Sequence, residues 1–133
     1  MAFFACSDNN NDITIADYLE QNNIKAEYHS SGIYYVIDVP GIGGHPNSES
    51  EITAHYKGYY LDGEVFDSSI GGDPLKFKLN QVIKGWQLGI PLYQKGGKGT
   101  LYIPPHLGYG SNPPGDIRAD APLAFDIELI DFK

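Results

Sequence analysis

Three segments of the chain alternate apolar and polar side chains with a period of two residues. They are residues 52–56, 75–79 and 123–129. This period places every second side chain on the same face of a β-strand, so each segment predicts a strand with one buried face. Several such strands must bury their apolar faces against one another or against a helix. The pattern therefore requires a sheet with one apolar side.

Further strands are predicted between turn-forming residues. Residues 33–39 are rich in aromatic and β-branched side chains and end at a Pro-Gly pair. The Asp62-Gly63 pair predicts a tight hairpin with residues 65–67 as its returning strand. Residues 100–103 form another strand, which two prolines stop. With 16 glycines and 9 prolines among 133 residues, we expect a single turn-rich, mostly β domain.

Two short helices are predicted beside the strands. Thr14 begins a capping-box sequence that opens an N-terminal helix, which we expect to pack on one edge of the domain. Asn80 is expected to cap a second helix that holds residues 82–86. Gly85 and Gly89 would let this helix lie close to the surrounding backbone. Together the elements predict an α+β fold, a strongly bent antiparallel β-sheet that closes over one short helix.

The N-terminal residues differ in composition from the rest of the chain. Residues 1–12 combine a lipoprotein-like start, in which Cys6 follows a small residue, with a polar tether. Residues 13–31 would form the short helix and a connector, and residues 32–133 the main domain. Lipidation at Cys6 would place the protein in the bacterial cell envelope, facing the periplasm or in the outer membrane. A random apolar start, with a cytoplasmic protein, is the alternative.

Charge and motif content exclude several classes of function. A net charge of −8 without a cluster of lysines or arginines disfavours nucleic acid as a partner. The four histidines lack the spacing of metal ligands, and nucleotide and covalent-catalysis motifs are missing from the sequence. We therefore expect neither metal nor cofactor. What remains is an aromatic content of ten tyrosines, six phenylalanines and one tryptophan.

Several motifs follow one another in a recognisable order. They are Ala-His-Tyr-Lys-Gly at 54–58, Val-Phe-Asp-Ser-Ser at 65–69, Val-Ile-Lys-Gly-Trp at 82–86 and Leu-Ala-Phe-Asp-Ile-Glu-Leu at 123–129. With this order and spacing, about residues 32–133 resemble the FKBP-type peptidyl-prolyl cis-trans isomerases. The resemblance implies a half-barrel sheet wrapped around a short helix, with a hydrophobic pocket that receives proline. It also implies a rotamase and folding-chaperone role on unfolded or partly folded proteins with exposed X-Pro bonds.

The resemblance assigns roles to individual residues. Asp67, Tyr109 and Ile83 would be catalytic: Asp67 through its charge and shape, the other two by hydrogen bonds to the substrate carbonyl. Substrate-binding residues would be Tyr56, Phe66, Phe77, Val82, Trp86, Ile117 and Phe125, with Trp86 as the floor of the pocket. For Asp67, a structural role in the turn that follows it is an equal alternative. Tyr109 has packing within its loop, residues 106–122, as its alternative role.

Catalysis of this kind requires no nucleophile, metal or cofactor. Rotation about an X-Pro bond meets a barrier of about 18–20 kcal/mol because the planar amide loses its resonance. The twisted amide is less polar than either planar isomer, so a dry pocket should favour it. A proline-binding or chaperone-like module with little turnover is the alternative function for the same pocket.

The rim of the expected pocket departs from the family pattern. Leu75 stands where phenylalanine is common, and residues 117–120 replace an Ile-Pro-Pro-like segment with Ile-Arg-Ala-Asp. Residues 70–73 lack the basic side chain that usually follows the Phe-Asp-Ser-Ser motif. These departures bear on the residue preferred before proline and on macrolide ligands, rather than on the aromatic pocket itself.

Overall fold

A curved antiparallel sheet of seven strands dominates residues 13–133, the part of the chain that the computed structural model describes. The strands are β1 (Glu27–Tyr28), β2 (Tyr34–Val39), β3 (Glu51–Tyr60), β4 (Val65–Ser68), β5 (Leu75–Lys78), β6 (Lys98–Ile103) and β7 (Leu123–Phe132). Their order is β1-β2-β6-β7-β3-β4, and β5 also pairs with β3. Two short helices, α1 (Ile15–Gln21) and α2 (Lys84–Gly89), complete the predicted α+β fold. Cys6 and the tether at residues 1–12 lie outside the described residues.

The inner face of the sheet holds the main core and packs on α2. The alternation predicted for the last strand is confirmed, since alternate residues of β7 are buried in this core: Leu123, Phe125, Ile127 and Leu129. On β3, Ile52 and Ala54 belong to the same core, and Tyr56 packs against it. One face of each long strand is therefore committed to the interior, as the period of two requires.

Helix α1 packs on the outer face of the sheet. Its predicted cap is confirmed, because the Thr14 hydroxyl accepts a 3.0 Å hydrogen bond from the backbone of Asp17. Its buried residues and the sheet residues that they meet form a second cluster: Ile15, Leu19, Tyr102 and Ala124. Since the sheet members of this cluster lie on the central strands β6 and β7, the predicted position at an edge was wrong. Those central strands expose apolar side chains outward, and a helix must cover them.

Helix α2 begins later than predicted. Leu79–Gln81 forms a separate 3-10 turn, after which Val82 is extended with φ −116° and ψ 178°. Ile83, rather than Asn80, is the N-cap residue, and no side chain caps the helix. The predicted cap was wrong because two successive β-branched residues resist the helical conformation. None of the helices within residues 13–133 is long and apolar enough to cross a membrane.

Two glycines allow α2 to lie directly against β6. A Cβ atom on Gly85 would come within 2.5 Å of Ile103 Cδ1, and one on Gly89 within 2.6 Å of Leu101 Cδ1. The close neighbours are side chains of the sheet rather than the backbone that the sequence suggested. This packing fixes the height of α2 above the sheet and with it the position of Trp86.

Candidate active site

A cavity of about 270 Å³ opens among α2, β3, β4 and the long loop between β6 and β7. Its lining consists of Tyr56, Asp67, Leu75, Gln81, Val82, Ile83, Trp86, Tyr109 and Phe125. Seven of the residues predicted for the site are in this lining. They come from segments far apart in the sequence, which the curvature of the sheet brings together.

Trp86 forms the apolar base of the cavity. Its side chain is only 5% exposed, and its ring lies 5.2 Å from Tyr56, 5.3 Å from Phe77 and 5.2 Å from Phe125, centroid to centroid. The contacts with Tyr56 and Phe125 are edge-to-face, an arrangement that aromatic rings favour. The indole is thus held from several sides. Its Nε1 is buried without a hydrogen-bond partner among the described residues.

Phe66 and Phe77 support the cavity from behind its lining. Phe77 packs on Trp86, and Phe66 makes edge-to-face contacts with Phe125 at 5.5 Å and with Tyr109 at 6.5 Å. Both residues are half-buried and neither is in the lining. The family resemblance predicted both as substrate-binding residues, and the structure places them one layer behind the lining.

Ile117 does not line the cavity. It is half-buried, and its backbone N–H donates to Pro114 O at 3.3 Å within the loop. The loop contributes Tyr109 to the lining instead. Ile117, expected among the substrate-binding residues, therefore lies outside the lining of the cavity.

Leu75 and Gln81 line the cavity without having been predicted there. Leu75 is 39% exposed and stands on β5, where the sequence marked it only as a departure from the family pattern. Leu75 could have been predicted in the lining, because it lies on the apolar face of an alternating strand. Gln81 ends the 3-10 turn before α2, and no sequence pattern distinguishes it.

The polar groups of the cavity centre on Asp67. Its carboxylate accepts a 2.8 Å hydrogen bond from the Tyr56 hydroxyl and a 2.9 Å bond from the backbone N–H of Ser68. The carboxylate thus contacts both a side chain of the lining and the backbone of the next residue in β4. Burial, together with the Asp67 hydrogen bond and charge, raises the pKa of Tyr56 far above its ordinary value. Burial first and the Asp67 charge second also raise the pKa of Tyr109. Both tyrosines are neutral donors at physiological pH.

Ile83 contributes both a side chain and backbone groups. It lines the cavity, and its carbonyl accepts the backbone N–H groups of Trp86 at 3.0 Å and Gln87 at 3.2 Å. As the N-cap of α2 it has no carbonyl one helical turn earlier to pair with, so its own N–H is directed away from the helix ladder. This combination suits the binding of a carbonyl beside an apolar group.

The arrangement as a whole favours a small apolar ring with a polar flank. Aromatic and aliphatic side chains enclose the base, while a carboxylate and two phenols occupy the same cavity. Within residues 13–133, no group of three or more His, Cys, Asp or Glu residues is placed to hold a metal ion. Such a cavity can orient and desolvate a bound group.

Two larger depressions of the described surface differ in character. One of about 450 Å³ is shallow and carries charged residues such as Lys57, Lys98 and Glu128. The other, of about 370 Å³, lies between α1 and the start of the long loop. Of the aromatic rings that surround Trp86, the first depression includes only Tyr56 and the second includes none.

Comparison with known proteins agrees with this geometry. Residues 43–130 match the family of FKBP-type peptidyl-prolyl cis-trans isomerases. The chain is 50% identical over 106 residues to the isomerase FkpA of Buchnera aphidicola subsp. Schizaphis graminum, covering 78% of this chain and 42% of that protein. It is 41% identical over 105 residues to FkpA of Escherichia coli K12, covering 78% and 39%. The chain thus spans less than half the length of these relatives.

Solved structures share the fold. The crystal structure of FkpA from Escherichia coli superposes with a TM-score of 0.83 at 37% identity, over 89% of this chain and 57% of that chain. The crystal structure of AtFKBP13 gives a TM-score of 0.74 at 38% identity, over 80% and 98%. The curved sheet around a short helix is common to all three.

Proposed function

The chain belongs to the FKBP-type peptidyl-prolyl cis-trans isomerase family, and from this premise we propose that it accelerates rotation about X-Pro bonds in protein substrates. The observation that carries the proposal is the apolar cavity on Trp86, with the Tyr56 and Asp67 pair inside it. A prolyl ring is small and apolar, so it suits this base. The peptide on either side of the ring is polar and suits the flank.

The chemistry is a rotation, so the protein must lower a torsional barrier. That barrier of about 18–20 kcal/mol reflects amide resonance, which is lost when the bond twists. The twisted amide is less delocalised and less polar than either planar isomer, and an apolar cavity therefore stabilises it relative to water. A reduction of about 7 kcal/mol corresponds to a rate increase of roughly 10⁵.

Hydrogen bonds would hold one side of the substrate while the other turns. We propose that the Tyr109 hydroxyl and the Ile83 N–H bind substrate carbonyls, because both belong to residues of the lining. Asp67 is engaged by Tyr56 and Ser68, so it shapes the cavity and adds negative charge to the flank. Val82 lies beside Ile83 at the entrance. No proton transfer is required at any of these groups.

A protease-free isomerisation assay on short X-Pro peptides tests the proposal. We expect the rate to rise in proportion to protein concentration. Val82→Glu, which places a charge in the apolar lining, should remove the acceleration, and Glu27→Gln on β1, at the far edge of the sheet, should retain it. An identically purified, inactive Val82→Glu protein also excludes a contaminating isomerase. No acceleration at micromolar protein would contradict the enzyme. Binding without acceleration would favour a proline-binding or chaperone-like module.

Substrates and ligands follow from the same cavity. We propose unfolded or partly folded proteins with exposed X-Pro bonds as partners, and macrolides as competitors for the apolar base. Leu75, exposed at the lining, is smaller than phenylalanine and would widen the rim. Titration of Trp86 fluorescence with a macrolide, in the parent and in Leu75→Phe, measures this effect. Tighter binding by the variant is the expected result.

We further propose that the protein works in the bacterial cell envelope through a lipid anchor at Cys6. The support is the sequence around Cys6 and the bacterial origin of the relatives described above. Acyl-chain labelling of the full-length precursor tests the anchor. Labelling that persists in Cys6→Ala would exclude this cysteine, and unlabelled parent protein would favour the cytoplasmic alternative.

A further inference from the structure

One side chain ties the loop that carries Tyr109 to the hairpin between β3 and β4. Arg118 Nη1 lies 2.9 Å from Asp62 Oδ2, and Nη2 lies 2.5 Å from Glu64 Oε1. The guanidinium carbon stands 4.0 Å from the centre of the Tyr60 ring, and the backbone N–H of Arg118 donates to the Tyr60 hydroxyl at 3.1 Å. Four contacts from one residue thus fasten the loop to the hairpin.

The ion pair of Arg118 with Asp62 is better shielded than an ordinary surface ion pair, whereas the side chain of Glu64 is 65% exposed. The side chains of Arg118 and Asp62 are each 28% exposed, whereas Lys95 and Asp131, which form a 3.5 Å pair elsewhere, are 60% and 47% exposed. A planar guanidinium also donates in two fixed directions while its face lies on an aromatic ring. A lysine ammonium has neither the two fixed donor directions nor the flat face, so the contacts at position 118 require arginine.

The loop is closed upon itself, which lets Arg118 act at a distance. The backbone N–H of Asp120 donates to Gly110 O at 2.8 Å, so the residues after Arg118 are joined to the residue after Tyr109. The position of Arg118 is therefore linked to that of Tyr109, and the Asp120 amide reports on this link.

We call the contacts of Arg118 with Asp62, Glu64 and Tyr60 the clamp. A series of aromatic contacts leads from the clamp to the cavity. The Tyr60 ring lies 4.9 Å from Phe66, and Phe66 in turn contacts Tyr109 at 6.5 Å and Phe125 at 5.5 Å. The hairpin leads into β4, which carries Asp67, and the loop carries Tyr109. The clamp thus joins the two elements that supply the polar groups of the cavity.

We infer that Arg118 is a positioning residue for the proposed isomerase, holding the loop against the hairpin so that Tyr109 stays in the lining of the cavity that it shares with Asp67. The inference rests on the proposed function. It differs from a purely structural role in one respect: the effect of Arg118 on turnover must pass through Tyr109.

The test combines kinetics with amide hydrogen exchange on the full chain. Arg118→Gln should lower kcat/KM about 5- to 20-fold and speed exchange of the Asp120 amide, while the amides of β7 exchange as before. Arg118→Lys should recover less than half of the loss. The double variant Asp62→Asn with Glu64→Gln should reproduce the Arg118→Gln effect.

Lys95→Gln is the matched control. It removes the exposed ion pair with Asp131 and should change neither kcat/KM nor the exchange of the Asp120 amide.

The decisive comparison uses the Tyr109→Phe background. If Arg118 acts through the Tyr109 hydroxyl, adding Arg118→Gln to Tyr109→Phe lowers kcat/KM less than twofold further. A full additional loss, an Arg118→Gln protein within twofold of the parent, or unchanged exchange at Asp120 would each overturn the inference. A parent protein without isomerase activity would overturn the proposed function instead, and the exchange data would still decide whether Arg118 restrains the loop.

Discussion

The hydroxyl of Tyr56 donates a 2.8 Å hydrogen bond to the carboxylate of Asp67 within the candidate active site. The two residues stand on the adjacent strands β3 and β4, and both line the cavity. Burial of the phenol and, after it, this bond raise the pKa of Tyr56 above its ordinary value. The bond therefore pairs two of the polar groups that line the cavity.

Replacing Tyr56 by phenylalanine isolates this hydrogen bond, because the ring on Trp86 is retained. We expect kcat/KM to fall roughly 5- to 10-fold, equivalent to about 1–1.4 kcal/mol. The free energy of unfolding should change by less than about 1 kcal/mol, since the exposed Asp67 carboxylate can be hydrated. Isomerisation kinetics and urea unfolding measure the two effects. Tyr28→Phe, which alters a 62% exposed tyrosine on β1, is the control. Undiminished activity of Tyr56→Phe would remove the hydroxyl from the mechanism.

Trp86 should matter for both stability and ligand binding. Trp86→Ala leaves a void among three aromatic neighbours and should cost about 3–5 kcal/mol of unfolding free energy. Trp86→Phe should cost less, because it keeps a ring and removes the unpartnered Nε1 donor. Calorimetric titration with a proline peptide, below the unfolding midpoint of each variant, should show weaker binding in both. Unaltered affinity in Trp86→Ala would mean that the indole only fills the core.

Gly85 should tolerate no side chain unless Ile103 is shortened. Gly85→Ala places a Cβ within 2.5 Å of Ile103 Cδ1, and the resulting strain should exceed the gain in helix propensity of about 0.5–1 kcal/mol. We expect a net loss of about 1–2 kcal/mol in urea unfolding. Gly44→Ala, at a position with no atom near the added carbon, is the control and should be close to neutral. Adding Ile103→Val to Gly85→Ala should remove part of the strain. If the pair is merely additive, the contact is not the cause.

Tyr102 should make the fold sensitive to alkali. Burial of its ring beneath α1 is the largest cause that raises its pKa to about 12, whereas an unfolded tyrosine ionises near pH 10. A raised folded pKa contributes stability that is complete below pH 10 and is lost as pH rises toward 12. Urea unfolding at several pH values, with absorbance at 295 nm, follows both processes. Tyr102→Phe should show a smaller loss above pH 10, and an identical loss would assign the effect to other tyrosines.

Local patterns predicted the strands and the identity of the pocket. The alternation in residues 123–129 requires a buried face whatever the strand pairs with, and β7 has that face. The motif around Trp86 likewise predicted an aromatic base, because the family resemblance assigns this tryptophan to the floor of the pocket and other aromatic residues to its surroundings. The prediction of the strand depends only on neighbouring residues, and the prediction of the site depends on a motif as a whole.

Other features depend on which distant segments meet. The sequence marked Arg118 only as a departure from the family pattern, yet Arg118 reaches Asp62 across 56 positions of the chain. The outward-facing Tyr102 is buried only because α1 folds over it, and Phe66 stands behind the lining because the loop brings Tyr109 in front. The amino-acid sequence by itself determined the faces of the strands and the aromatic character of the site. Only the tertiary structure decided how deeply each aromatic ring is buried and that Arg118 fastens the loop to the hairpin. Both depend on contacts between elements that are far apart in the chain, and no local sequence pattern shows which of these elements meet.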